Sequence, residues 1–146
     1  MKIRNYTAAD KEKVVGLFRM NTPQYFAPGE ENDLLYYLEQ ESENYFVLED
    51  DSMLIGCGGF NFSEDKTMGR ISWDFFHPEQ QGKGLGSMLL QFRIEKLKEY
   101  ENVKIISVRT SQMAFRFYEK SGFELKETVK DYWAKGFDLY RMEILL

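Results

Sequence analysis

Hydrophobic and polar positions change period several times along this chain, and each change marks a new element. Lys2 to Tyr6 alternates, as a short strand does. Thr7-Ala8-Ala9-Asp10 fits a helix-capping pattern, and Val14, Leu17 and Phe18 then supply one helix face up to about Met20. Asn21 to Gly29 holds two prolines and a glycine and reads as a loop. A more acidic helix follows from Glu30 to Glu41, with Leu34, Leu35, Tyr37 and Leu38 turned inward. Tyr45 to Glu49 and Met53 to Phe62 read as strands around an Asp50-Asp51-Ser52 turn, and Arg70 to Phe76 as a third strand that Pro78 ends. From Leu85 to Tyr100 the period is helical. Leu85, Leu89 and Phe92 share one face, Leu90, Ile94 and Leu97 an adjoining one, and Ser87, Gln91, Glu95, Lys98 and Glu99 the opposite side. Val103 to Val108 is a mostly apolar strand. Thr110 or Ser111 then caps a helix that Gly122 stops. Phe123 to Val129 and Phe137 to Leu145 close the chain as two strands around an aromatic loop, Asp131 to Gly136. The order β-α-α-β-β-β-α-β-α-β-β predicts an α/β fold, a mixed sheet with helices on its faces. With no repeat or linker, residues 1–146 are expected to form a single domain.

Composition narrows the chemistry. A chain of 146 residues can bury about 68–70% of its unfolded surface, enough for one unstapled core. A single cysteine, Cys57, excludes a disulfide framework and a multi-cysteine zinc site, and a single histidine, His77, excludes His-rich metal sites. Net charge is −5 with no basic stripe, which argues against nucleic acid as a partner. The absence of an apolar leader or membrane-length run predicts a protein of the reducing cytoplasm with no membrane partner.

The informative stretch is Gln81-Gly82-Lys83-Gly84-Leu85-Gly86, set between a strand and a helix. Bare N–H groups at a helix start, with no Cβ in the way, can wrap a phosphate, and Lys83 adds a local cation to an acidic chain. Two common phosphate loops fail on spacing. A G-x-x-x-x-G-K-[ST] loop needs glycine at position 77, which is His77. A G-x-G-x-x-G fingerprint begun at Gly82 or Gly84 meets Ser87 or Leu89 at its third site. That disfavours a nucleotide-binding domain of unrelated fold.

Gln81 to Gly86 does match Q/R-x-x-G-x-G/A, and here the chain resembles the GNAT N-acetyltransferases across nearly its whole length. His77 to Gly86 is similar to the end of that family's fourth strand, its pyrophosphate loop and the start of its third helix. Ser111-Gln112-Met113-Ala114-Phe115-Arg116-Phe117-Tyr118-Glu119-Lys120-Ser121-Gly122-Phe123 is similar to the family segment N-x-x-A-x-x-[hydrophobic]-Y-E-K-x-G-F. The ending, with Gly136 and Met142-Glu143, is similar to its last strand. One departure is Ser111, which stands where the family places a coenzyme-binding asparagine; a hydroxyl makes that hydrogen bond with shorter reach.

The resemblance implies transfer of an acetyl group from acetyl-coenzyme A to a primary amine, by direct attack through a tetrahedral intermediate, with no metal. It implies that Gln81, Gly82, Lys83, Gly84, Leu85, Gly86 and Ser87 hold the pyrophosphate, with Ser111 and Tyr118 also on the coenzyme. The fourth and fifth strands are expected to splay around a bulge between Asp74 and His77, and a free N–H near Phe76 or His77 would stabilise the oxyanion. Tyr118, on the same helix face as Ser111, is implied as the acid for the leaving thiolate, the alternative being a core aromatic. Asp74, sharing a strand face with Ser72 and Phe76, is either the base for the incoming ammonium or a charge partner. The acceptor, a small-molecule or peptide amine, is expected against Tyr25, Phe26, Tyr36, Tyr132 and Trp133 with Glu30, Glu31 and Asp33, residues that could equally serve the core or a homodimer interface. The competing function is a non-catalytic acyl-coenzyme A-binding module of the same fold.

Overall fold

In a computed structural model covering residues 1–146, seven strands form one sheet in the order β1-β2-β3-β4-β5-β7-β6. These are β1 (Lys2–Asn5), β2 (Tyr45–Asp50), β3 (Met53–Phe62), β4 (Met68–Phe76), β5 (Ile105–Thr110), β6 (Glu124–Ala134) and β7 (Phe137–Leu145). The helices are α1 (Lys11–Met20), α2 (Glu31–Gln40), α3 (Leu85–Lys98) and α4 (Phe115–Lys120). All pairings are antiparallel except β4 with β5, so the predicted mixed α/β architecture is the observed one. No helix is long and apolar enough to cross a membrane.

The sheet divides the core in two. On one face α1 and α2 press Val14, Leu17, Phe18, Leu34, Tyr37 and Leu38 against strand residues such as Val47 and Phe75. On the other, α3 and α4 press Leu89, Leu90, Ile94, Leu97 and Tyr118 against Ile71, Ile106 and Val108. Gly69 lets α3 lie close, since a Cβ there would meet Leu97 Cδ2 at 2.8 Å.

Several expectations shift, among them the strand expected over Val103 to Val108, which runs from Ile105 to Thr110. The strand predicted from Arg70 begins at Met68. The predicted aromatic loop 131–136 is largely strand: β6 runs on to Ala134, leaving Lys135 and Gly136 as the turn. Asp131 makes the irregularity tolerable, at φ 54 with its carboxylate accepting the Gly136 N–H at 2.7 Å. Finally, α4 starts at Phe115, so Ser111 precedes the helix and does not share a face of it with Tyr118.

The most consequential irregularity lies in β4. Cys57 pairs with Phe75 but Gly59 with Ser72, so β4 carries one residue more than β3 between these rungs. The surplus is absorbed at Trp73, whose φ is 51. A one-residue surplus inverts every later side chain. Ser72 and Trp73 therefore both face α1 and α2, while Asp74 turns to the α3 side with Phe76. The bulge thus sits one residue earlier than expected, and Asp74 does not share a face with Ser72.

Two glycine substitutions should separate close backbone approach from mere flexibility. A Cβ at Gly59 would lie 2.4 Å from the Asn44 carbonyl oxygen, whereas one at Gly16, inside α1, would meet nothing within 4 Å. Urea denaturation should find Gly59→Ala destabilised by about 1–3 kcal/mol. Gly16→Ala should gain about 0.5–1 kcal/mol.

Candidate active site

The parallel pairing of β4 and β5 runs from Met68↔Ile105 to Ile71↔Val108 and then stops, although both strands continue. The gap opens onto a cavity of about 870 Å³ that runs from the glycine loop to the α2 side of the sheet. At the end of β4, the His77 N–H donates to the Ile55 carbonyl at 2.8 Å. His77 therefore has no free N–H to offer an oxyanion. Antiparallel alternation turns the neighbouring Phe76 N–H and C=O away from β3, toward the gap. Asn21, 3% exposed, accounts for that carbonyl, donating to it at 2.9 Å and to the Leu17 carbonyl at 2.8 Å. What remains facing the gap is the Phe76 N–H.

Beyond β4 the chain builds the cradle expected from sequence. Gly82 and Gly84 have φ 80 and 78, and a Cβ on either would enter open space, so backbone conformation and not crowding requires glycine there. The first intrahelical bond of α3 runs from the Met88 N–H to the Gly84 carbonyl at 3.1 Å, leaving the Leu85, Gly86 and Ser87 N–H groups without helical partners. Gly86 differs: a Cβ there would meet Phe117 Cε1 at 3.2 Å, so this glycine lets α3 approach α4. Lys83 is exposed, its Nζ 3.4 Å from Gln80 Oε1, and Gln81 Oε1 accepts from Tyr25 Oη at 3.3 Å. Leu85 is buried against Leu48 and Ile55 and anchors the helix. The His77 ring serves the turn, its Nδ1 accepting the Glu79 N–H at 3.1 Å. Ser111 is likewise engaged locally, its Oγ accepting the Met113 N–H at 3.3 Å.

The centre of the site is a buried polar group on the α3 side of the sheet. Arg93, with a fully buried side chain, grips both oxygens of Asp74, Nη2 to Oδ2 at 2.8 Å and Nη1 to Oδ1. Its remaining donors satisfy the Leu89 carbonyl at 3.2 Å and the Gly59 carbonyl at 3.0 Å. The Tyr118 hydroxyl donates to Asp74 Oδ2 at 2.8 Å. Burial foremost, then the Asp74 charge and this hydrogen bond, hold the Tyr118 hydroxyl well above the ordinary phenol range, against the opposing pull of Arg93. Gly58 makes room for the pair, since a Cβ there would lie 2.1 Å from Asp74 Oδ1. Cys57 is fully buried, and burial pushes its thiol far up, which removes it as a nucleophile.

The structure brings together Tyr118 and Asp74, both singled out from sequence, with Arg93, which was not. The signal was present. Arg93 lies four residues from both Leu89 and Leu97, on an apolar face, and a charge there demands a partner. Asn21 carried no comparable signal. Of the residues expected near an acceptor, Tyr25, Phe26, Glu30, Asp33, Tyr36 and Trp133 line the cavity, whereas Tyr132 does not, and Glu31 pairs with Arg19 outside, at 2.8 Å.

Comparison with known proteins agrees with this fold. The model of the acetyltransferase (GNAT) family matches residues 8–123, and the chain belongs to that family. An N-alpha-acetyltransferase of Sulfurisphaera tokodaii is 26% identical over 97% of this chain and 90% of its own length. The chain spans only 20% of the length of an amino-acid acetyltransferase from Actinobacillus pleuropneumoniae, to which it is 29% identical over 62% of its residues. Among solved structures, Ard1 from Thermoplasma volcanium superposes with a TM-score of 0.83 at 20% identity, covering 99% of this chain and 97% of that one. N-acetylglutamate synthase from Neisseria gonorrhoeae, complexed with coenzyme A and N-acetyl-glutamate, superposes with a TM-score of 0.78 at 18% identity, covering 99% of this chain and 35% of that one.

The buried pair makes a stability prediction. Arg93→Met should cost about 3–5 kcal/mol in urea denaturation, because it strands the Asp74 carboxylate. Combining it with Asp74→Leu should recover much of that loss, a coupling measurable as a double-mutant cycle.

Proposed function

We propose that this protein is an N-acetyltransferase that uses acetyl-coenzyme A to acetylate a primary amine by direct attack. The observation carrying this reading is the alignment of three features along one cavity: the cradle, the gap between β4 and β5, and the Tyr118 hydroxyl. The residues fit the coenzyme. Free N–H groups at Leu85, Gly86 and Ser87, with Lys83 and Gln81 beside them, would hold its pyrophosphate, and the gap would admit its pantetheine arm. The coenzyme-bound synthase from Neisseria gonorrhoeae, which shares the fold, supports that assignment. Bound there, the coenzyme supplies the acetyl thioester.

This chain's own groups do the rest. The Phe76 N–H, aimed into the gap, would hydrogen-bond the thioester carbonyl as negative charge develops on its oxygen. Tyr118 would turn its hydroxyl from Asp74 to the departing sulfur while Arg93 keeps the carboxylate satisfied. With its pKa above the ordinary value of about 10, the phenol stays protonated, and full transfer to a thiolate of pKa about 8.5 is uphill. It therefore acts chiefly by hydrogen bonding to sulfur, and the proton released by the attacking amine completes the thiol. Asp74, with Oδ1 given to Arg93 and Oδ2 to both Arg93 and Tyr118, is a positioning residue and not the base for the ammonium.

Three measurements test this reading. Gly84→Val puts a side chain at φ 78 in the cradle and should abolish coenzyme A binding in calorimetry while the circular dichroism stays native. Unchanged affinity in the folded variant would remove the cradle as the site. Tyr118→Phe keeps the ring and removes the donor, so kcat should fall about 10²-fold or more, with partial rescue by an acetyl donor whose leaving group needs no assistance. In Asp74→Asn the phenol loses the neighbouring charge that raises its pKa, so the alkaline limb of the kcat profile should move to lower pH. A normal kcat for Tyr118→Phe would reduce the residue to core packing.

A further inference from the structure

The chain has seven arginines, and five of them meet a carboxylate within 4.0 Å: Arg4, Arg19, Arg93, Arg116 and Arg141. Arg70 and Arg109 do not, and both line the cavity. Their placement follows from the strands. Gly69 and Ile71 face α3, so Arg70 and Ser72 stand on the opposite face; Val108 faces the same core as Ile71, so Arg109 also stands opposite. Since Arg70 pairs with Ser107, the two guanidinium groups rise from adjacent strands beside the point where the ladder opens.

Arg109 is held in position. Its Nη2 donates to the Tyr132 hydroxyl at 2.5 Å, and its guanidinium lies 5.1 Å from the Tyr132 ring centre and 5.9 Å from that of Trp133. Trp133 is itself tied to β5 through Nε1 and the Thr110 carbonyl at 3.2 Å. These contacts fix the cation by stacking and leave it without a counter-charge. A third donor points the same way. Tyr37, also lining the cavity, is 5% exposed, and its hydroxyl is buried without a partner. Beside it, Ser72 Oγ has already given its proton to Asn61 Oδ1 at 2.7 Å. Of the cavity's carboxylates, Asp74 on β4 is already matched by Arg93, and the other three, Glu30, Asp33 and Glu41, lie on or at the ends of α2. The cavity is thus bipolar, with surplus donors on the strand side.

Resting on the acetyltransferase reading above, we propose that the acceptor amine carries a carboxylate, which Arg109 and Arg70 bind with help from the Tyr37 hydroxyl. The two sources of that chemistry are the α-carboxylate of a free amino acid and an acidic side chain beside a free amine whose own α-carboxylate is blocked as an amide, and both place the anion a few bonds from the nucleophile. Simple polyamines are not the substrate class.

The test compares paired acceptors that differ only in the anion: glutamate, glutamate α-amide and glutamine α-amide, each followed by thiol release from acetyl-coenzyme A and by calorimetric binding to the coenzyme A complex. Charge-assisted hydrogen bonds of this kind make the anionic member better by about ten- to hundredfold in kcat/KM and in affinity. Glutamate over its α-amide assigns the α-carboxylate; glutamate α-amide over glutamine α-amide assigns the side chain. In Arg109→Gln and Arg70→Gln the ratio between paired acceptors falls toward one, with the loss in acceptor KM more than in kcat. Equal or better use of the neutral amide, spermidine outperforming all three, or a ratio that both arginine variants preserve overturns the proposal while leaving the transferase reading intact. Failure to bind coenzyme A would instead overturn the transferase reading, and calorimetry on the protein alone would still decide the anion site.

Discussion

The hydrogen-bonded pair between Arg93 and Asp74 is the constraint on which the site depends. Two charges are taken out of water at the middle of the sheet, and they are tolerated only because nearly every donor and acceptor is matched: two carbonyls, two carboxylate oxygens and one phenol. Satisfying that set requires the bulge at Trp73, which turns Asp74 toward α3, and a glycine at position 58, which leaves room for it. The same bulge keeps Trp73 on the α1–α2 face, stacked on Phe26 at 6.0 Å. One extra residue in β4 therefore serves both faces of the sheet. It delivers a charge to one side and an aromatic wall of the cavity to the other.

Local sequence carried some of this and could not carry the rest. The cradle was legible because its requirement is local: positive φ at Gly82 and Gly84, followed directly by a helix start. Tyr118 was legible through the family pattern around it. The orientation of Asp74 was not, because strict alternation assigns it to the face of Ser72, and nothing in Ser72-Trp73-Asp74 announces that a bulky residue will adopt φ 51. The end of β6 was misread for a related reason. Asp131-Tyr132-Trp133 carries the turn-forming residue early, yet the chain continues as an irregular strand before turning at Lys135 and Gly136. Long-range pairing decided both cases.

The gap between β4 and β5 is sustained from outside the two strands. Asn21 ties the C-terminal end of α1 to the Phe76 carbonyl, while His77 remains bonded to β3, so the end of β4 is fastened on two sides. Tyr25, four residues on, reaches Gln81 in the glycine loop. The segment after α1 thus contacts the end of β4 and the glycine loop as well as lining the cavity.

Both tryptophans of the chain, Trp73 and Trp133, line this one cavity, and neither lies elsewhere in the fold. Trp73 is packed among Phe18, Phe26 and Tyr37 on the α1–α2 side, and Trp133 lies beside the Arg109 guanidinium. Indole emission responds to local polarity and to nearby charge. Excitation of the whole protein near the red edge of its absorption therefore interrogates the cavity and almost nothing else. The molecule carries its own optical gauge of what enters.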